Sequence, residues 1–452
     1  MKPIIQIMLA ITLAGGALMP AGGPLRAAPG GDGVFPFATE THTLDNGLRV
    51  ILIPISGGGL MSYYSVVRTG SRDEYEPGRT GFAHFFEHMM FRGTKNYPAA
   101  LYDRTVTGMG ADANAYTTDD LTAYHLSFAS SDLETVIRIE SDRFQHLDYA
   151  EGPFQTEAGA VYGEYRKNRT SPWEVLFEAL QAKAFSRHTY GHTTMGFEAD
   201  IKAMPTMYAY SKEFFNRYYR PENVVLLLAG DFDSAAALAL IRKHYGEWKK
   251  GYVPPQVPAE PEQTAERRIA VRYDGRTLPL LVVGYKGQRF DPSDRLMVAG
   301  SMLDDLLFGE TSDIYQKLVL QEQSVEFISA DFGFNRDPGL WNIYAMVKDP
   351  AGVPAVLEEI DRTVAAYLDR PVTASKLENL KKRLKYSFLM NLDTPDKVAG
   401  RLARFVAITG GIEAVDTLYR AYDAVTAGDI QQAVATYLSP KRRTVVTLKG
   451  RD

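Results

Sequence analysis

The sequence contains no cysteine. That absence removes thiol nucleophiles, disulfides, cysteine-ligated zinc, iron–sulfur clusters and a lipoprotein anchor. Any metal here must be held by His, Asp or Glu. A surplus of positive charge is missing too: 50 Lys and Arg stand against 55 Asp and Glu, a net charge of −5. Nucleic acid and anionic membrane surfaces are therefore poor partners. The Gly-x-Ser-x-Gly elbow of serine hydrolases, the Gly-x4-Gly-Lys phosphate loop and the His-Glu-x-x-His order of thermolysin-type enzymes do not occur. Long apolar runs are lacking as well, which excludes a transmembrane bundle.

The first residues read as an address. Lys2 precedes Ile4 to Ala14, an apolar stretch interrupted by Gln6 and Thr12. Small residues and breakers follow (Gly15, Gly16, Pro20, Gly22, Gly23), ending at Arg26-Ala27-Ala28. The apolar core is too short to span a bilayer and has the form of a secretory signal peptide over residues 1–27, with cleavage expected after Ala27. The expected product is an exported, periplasmic protein with no stable membrane insertion.

The remainder has an ordinary globular composition, 45% hydrophobic and 23% charged. Its most evident division is Val253-Pro254-Pro255-Gln256-Val257-Pro258-Ala259-Glu260-Pro261-Glu262, a proline-rich stretch that favours an extended, solvated chain. The expected boundaries are an N-terminal domain over 34–250, a linker over 251–265 and a C-terminal domain over 266–452. The two halves end alike. Tyr218-Tyr219-Arg220-Pro221 precedes the apolar run Val224 to Ala229 and Gly230; Tyr437-Leu438-Ser439-Pro440 precedes Thr444 to Leu448 and Gly450. Each reads as helix end, proline turn, buried strand and glycine, which suggests an internal duplication. Strand-like runs (48–54, 61–68, 123–129, 279–285, 341–347) mix with helix-like stretches (131–147, 154–187, 353–368, 374–392). The pair 48–54 and 61–68 reads as hairpin neighbours. The fold class expected is α+β: two tandem homologous domains, each a mainly antiparallel sheet packed with helices.

The chemistry concentrates in His84-Phe85-Phe86-Glu87-His88. On a helix at ~100° per residue, the two His and the Glu leave one face within ~100° of arc, while the Phe side chains anchor the other. Two imidazoles one turn apart can ligate one Zn²⁺, and the carboxylate between them can reach a water on the metal. This is the inverted zincin order His-x-x-Glu-His. Hydrolytic zinc normally takes three protein ligands, so one more must come from elsewhere. Glu157 and Glu164, two turns apart on one helix face, are candidates; taken alone, such a pair is usually a solvated helix surface. The basic run Lys381-Lys382-Arg383-x-Lys385, with Leu377, Leu380 and Leu384 turned inward, also reads as a solvated face.

The run from Gly81 to Thr94 around this motif closely resembles the pitrilysin family of metallopeptidases. Within it, the chain is similar to the two-domain bacterial members and to the β-subunit of the mitochondrial processing peptidase. Glu157-x6-Glu164 falls where the family places its glutamates. Asn114-Ala115-Tyr116-Thr117, leading into Thr122-Ala123-Tyr124-His125, resembles its active-site edge strand. His188-x-Tyr190-Gly191, Tyr218-x-x-Pro221-x-Asn223 and Gly230-Asp231 extend the match, which is strong over 44–232 and holds only in outline beyond. The resemblance implies a zinc endopeptidase acting on peptides or unfolded segments. One Zn²⁺ per chain would be bound by His84, His88 and Glu164, and Glu87 would be the general base. Glu157 would hydrogen-bond a ligand histidine. Asn114, Ala115 and Tyr116 would pair with an extended substrate.

One departure stands out. Relatives that are single-chain or homodimeric supply an Arg and a Tyr from the second domain near the zinc. The corresponding positions here are Val319 and Glu326, and neither donates to a developing oxyanion. No Arg occurs between residues 296 and 335. The expectation is a heterodimer whose other subunit lacks the zinc motif and carries the Arg and Tyr. The rival is a non-catalytic binding or assembly subunit of the same fold, such as the respiratory-complex core proteins; those usually have broken zinc motifs, whereas this motif is intact.

Overall fold

The computed structural model describes residues 33–451, so the signal-like stretch 1–27 lies outside the described residues. Among the described residues no helix is long and apolar enough to cross a membrane.

The first half holds strands β1 (Glu40–Thr43), β2 (Arg49–Pro54), β3 (Leu60–Val67), β4 (Asp112–Thr117), β5 (Thr122–Ala129) and β6 (Val224–Gly230). They form one six-stranded sheet in the order β1-β2-β6-β3-β5-β4. All pairs are antiparallel except β2 with β6. The expected hairpin of 48–54 with 61–68 is not formed, because β6 lies between β2 and β3. Every residue of β6 is buried, and a strand apolar on both sides takes the centre of a sheet covered on both faces.

The second half repeats the plan. Strands β7 (Arg267–Arg272), β8 (Leu280–Lys286), β9 (Val325–Asp331), β10 (Leu340–Val347) and β11 (Arg443–Lys449) run in the order β7-β11-β8-β10-β9. Leaving out β1, the two sheets share strand order and strand directions. The matched endings are helices Tyr208–Tyr218 and Ala427–Tyr437, each followed by a proline-led 3-10 turn and then by β6 or β11.

Most helix-like stretches correspond to single helices (Leu133–His146, Val353–Asp369, Ala374–Met390). The stretch 154–187 does not. It is two helices, Glu151–Asn168 and Pro172–Ala184. Pro172 has no N–H and its ring would collide with a carbonyl one turn back, so the first helix stops and Pro172 opens the second.

That break redirects the chain. Leu176 and Leu180 of helix Pro172–Ala184 pack under the second sheet, against Leu280, Val282, Val446 and Leu448. In return, helix Pro395–Thr409 of the second half places Val398, Leu402 and Val406 on the first sheet, against Ile51, Ile53, Tyr64 and Leu227. Each half thus lends the other a helix. The period-2 alternation of the strands serves both sides: Val50 and Leu52 join the first half's own core, while Ile51 and Ile53 join the shared one.

Residues 251–265 contain no helix or strand, but they are not a free tether. The Glu260 carboxylate accepts the N–H groups of Ser186, Arg187 and His188 at 2.9, 2.8 and 3.1 Å. Gln263 is buried and donates to the Arg443 carbonyl at 2.7 Å. The basic run near 383 also differs in one residue from a solvated face: Lys381 is buried and donates to the Asp423 carbonyl at 3.0 Å.

Candidate metal centre

Helix Phe82–Met89 starts at Gly81, whose φ of 88° is left-handed; a Cβ there would lie 2.7 Å from the Met195 carbonyl oxygen, so glycine is required. The first free N–H groups of this helix are held by Glu74, which accepts from Gly81 at 2.8 Å and from Ala83 at 2.7 Å. Phe82, Phe85, Phe86 and Met89 are fully buried in the first core. The opposite face carries the polar residues of the motif.

Helix Glu151–Asn168 lies against that face. His84 Nε2 is 3.7 Å and His88 Nε2 3.2 Å from the same oxygen, Glu164 Oε2. One donor atom from each of His84, His88 and Glu164 lies within 4.8 Å of the others, and among the described residues this is the only such cluster. Glu157 Oε1 is 3.0 Å from His88 Nδ1, an outside partner that orients the ring with Nε2 toward Glu164. The Arg92 guanidinium holds the other oxygen of Glu157.

The electrostatics fit a cation. Burial pushes the His84 imidazole down, so it stays neutral with a lone pair to give. The hydrogen bond with His88 draws Glu164 down to about 2, against the effect of burial, and keeps it ionised. Against its own burial, the bonds with Glu157 and Glu164 raise His88 to about 10, so the imidazole itself carries the positive charge between the two carboxylates. Two imidazoles and a carboxylate form a donor set of the kind zinc takes.

Glu87, between the histidines, accepts a 2.6 Å hydrogen bond from Thr117 Oγ1. Thr117 ends β4, the edge of the sheet, paired only with β5. Ala113 and Ala115 pack toward the histidine helix, whereas Tyr116 packs on the opposite face with helix Pro395–Thr409. Asn114 shares that opposite parity, and its Oδ1 accepts the Ala115 N–H at 2.9 Å.

The structure therefore brings His84, Glu87, His88, Glu157 and Glu164 together and sets β4 beside them. Val319 and Glu326 lie elsewhere. Val319 packs on the core of the second half, and Glu326 is exposed with Lys348 Nζ at 3.8 Å. Three contributors escaped sequence reasoning: Glu74, Arg92 and Thr117. All act from outside the helix they serve, at separations that no periodicity encodes.

A family model described as insulinase, peptidase family M16, matches residues 62–198, and one described as the peptidase M16 inactive domain matches 208–384. The chain belongs to peptidase family M16. It is 28% identical over 421 residues to the zinc protease PqqE of Helicobacter pylori, covering 91% of this chain and 92% of that one. It is 29% identical over 420 residues to the mitochondrial-processing peptidase subunit beta of Bos taurus, covering 91% and 84%. The crystal structure of a protease from Helicobacter pylori superposes with a TM-score of 0.86 at 26% identity, over 91% of this chain and 99% of that chain. The periplasmic protease PqqL of Escherichia coli shares the fold, with a TM-score of 0.75 at 20% identity over 94% of this chain and 48% of that one. The M16 fold is thus present in both halves, and the metal-type cluster in the first alone among the described residues.

Proposed function

We propose that this M16 protein is a zinc-dependent endopeptidase that hydrolyses peptides or unfolded polypeptide segments, with His84, His88 and Glu164 as the zinc ligands. The observation that carries this reading is the convergence of the three donor atoms within 4.8 Å, beside a carboxylate that is not one of them. Zinc, when bound there, polarises the scissile carbonyl and acidifies the attacking water. Glu87 takes the proton from that water and delivers it to the leaving amine. Glu157 holds His88 in its ligating tautomer. Asn114, Ala115 and Tyr116 bind the substrate as an added strand through their main chain, so affinity comes with modest side-chain selectivity.

The second half offers no Arg near positions 319 and 326, and the proposal includes a homologous partner subunit that supplies Arg and Tyr for the developing oxyanion. The signal-like residues 1–27 support export to the periplasm, which cell fractionation tests directly.

The deciding experiment is cleavage of a quenched fluorescent peptide library by the purified chain, alone and with its candidate partner, with Glu87→Gln as the control. Glu87→Gln is expected to keep its zinc and lose about 10²- to 10⁴-fold in rate. Chelator-sensitive cleavage that needs both chains supports the whole reading. Equal cleavage by this chain alone removes the partner. A zinc-loaded pair that cleaves nothing favours a non-catalytic binding subunit.

A further inference from the structure

Thr117 is buried at 8% exposure, and its hydroxyl donates to Glu87 Oε2 at 2.6 Å. It is the last residue of the edge strand β4, facing Thr122 across the turn to β5. Its position is set from two directions. Thr118 closes the turn by donating its N–H to the Leu121 carbonyl at 2.8 Å, and the Thr122 hydroxyl donates to the Thr69 carbonyl at 3.0 Å. The carbonyls of Thr118 and Asp119 accept the N–H groups of Ser71 and Arg72 at 3.3 and 2.8 Å. The same 70–74 segment continues into Glu74, which holds the N-terminus of the histidine helix. One loop therefore fixes both the end of the edge strand and the start of the helix that carries Glu87. From the second half, Arg336 clasps this frame by donating its N–H to Asp120 Oδ2 at 2.9 Å.

We propose that Thr117 is a positioning residue that ties the Glu87 carboxylate to the edge strand, so that the base is aimed relative to whatever backbone pairs with β4. The proposal rests on the peptidase reading above. A glutamate on a helix surface has three rotatable bonds, and a single short hydrogen bond from a buried, rigid donor selects one orientation. Because the donor sits on the strand that registers the substrate, base and scissile bond share one reference frame. In this role Thr117 acts through Glu87, the side chain its hydroxyl bonds.

The test compares wild type with Thr117→Val, which keeps the shape and removes the hydroxyl, and with Thr117→Ser, which keeps the hydroxyl and removes the methyl. Turnover, KM on a quenched peptide, zinc content and melting temperature are measured on the full chain with its partner where one is needed. Thr117→Val is expected to lose about 10- to 100-fold in kcat. KM and zinc content should stay within about twofold of wild type, and Thr117→Ser should recover most of the rate. Should Thr117→Val fail to fold, Thr117→Ala against Thr117→Ser isolates the same hydroxyl. Wild type that cleaves while the valine or alanine variant cleaves equally fast overturns the role of Thr117 and leaves the peptidase reading standing. A loss expressed in KM or zinc content, or a serine variant as slow as valine, overturns it as well. Zinc-loaded wild type without turnover removes the reaction itself, and the proposal with it.

Discussion

The two halves of this chain share a five-strand order and the same strand directions, yet they fill the corresponding helix contact with different chemistry. In the first half, helices Phe82–Met89 and Glu151–Asn168 face each other with His84, His88, Glu157 and Glu164 between them. In the second, helices Leu303–Phe308 and Ala374–Met390 meet, and Arg383 Nη2 pairs with Asp305 Oδ1 at 2.9 Å. An ion pair neutralises itself; two imidazoles around a carboxylate leave lone pairs and negative charge that a cation can take. Topology is thus shared between the halves, and the metal-type donor set sits at one helix contact alone among the described residues.

The sharpest way to break that comparison is to disable each contact in turn. Glu164→Ala should abolish stoichiometric zinc binding and cleavage, whereas Arg383→Ala should change neither, as read by elemental analysis and peptide turnover. Loss of zinc from Arg383→Ala would mean that the second contact is no mere counterpart.

The exchanged helices predict a second, smaller effect. Leu402 lies in the second half by sequence but under the first sheet in space, and Leu180 does the converse. Leu402→Ala and Leu180→Ala should each lower stability by about 2–5 kcal/mol in denaturant titrations. The local loss, read by hydrogen exchange, should fall on the sheet covered rather than on the half that was mutated. Protection lost only within the mutated half would contradict reciprocal packing.

The smallest effect concerns pH. Burial pushes the Glu74 carboxyl up to about 8, despite the N–H groups it accepts. A folded-state pKa above the ordinary value near 4.5 means that the native chain binds the extra proton between those limits. The contribution of Glu74 to stability is therefore full below about 4.5 and is lost as pH rises through about 8. Glu74→Gln should flatten this part of the stability profile relative to wild type. A melting-temperature series from pH 4.5 to 8.5 with the same slope in both proteins would sink the assignment.

Much of this was legible in the residues, for reasons that are local. His84, Glu87 and His88 fall within five positions of one helix, so 3.6-residue periodicity alone puts them on one face. The long apolar run at 224–229 announces a strand covered on both sides, and the Tyr-x-x-Pro endings announce the repeat. A hairpin is the nearest explanation for the adjacent strands 48–54 and 61–68, while the β6 that separates them comes more than 150 residues later. The stretch 154–187 has a helical pattern throughout, but Pro172 breaks it, and that break sends a helix into the other half.

The sequence by itself determined the fold class, the duplication and the shared helix face of His84, Glu87 and His88, because each depends on short-range pattern and side-chain chemistry; Glu164 came only through the family resemblance. Only the tertiary structure decided that Thr117 holds Glu87, that Glu74 holds the start of the histidine helix, and that each sheet is covered by the other half's helix. Those contacts join residues that are 30, 7 and some hundreds of positions apart. They follow no period, and only the folding of the chain brings them together.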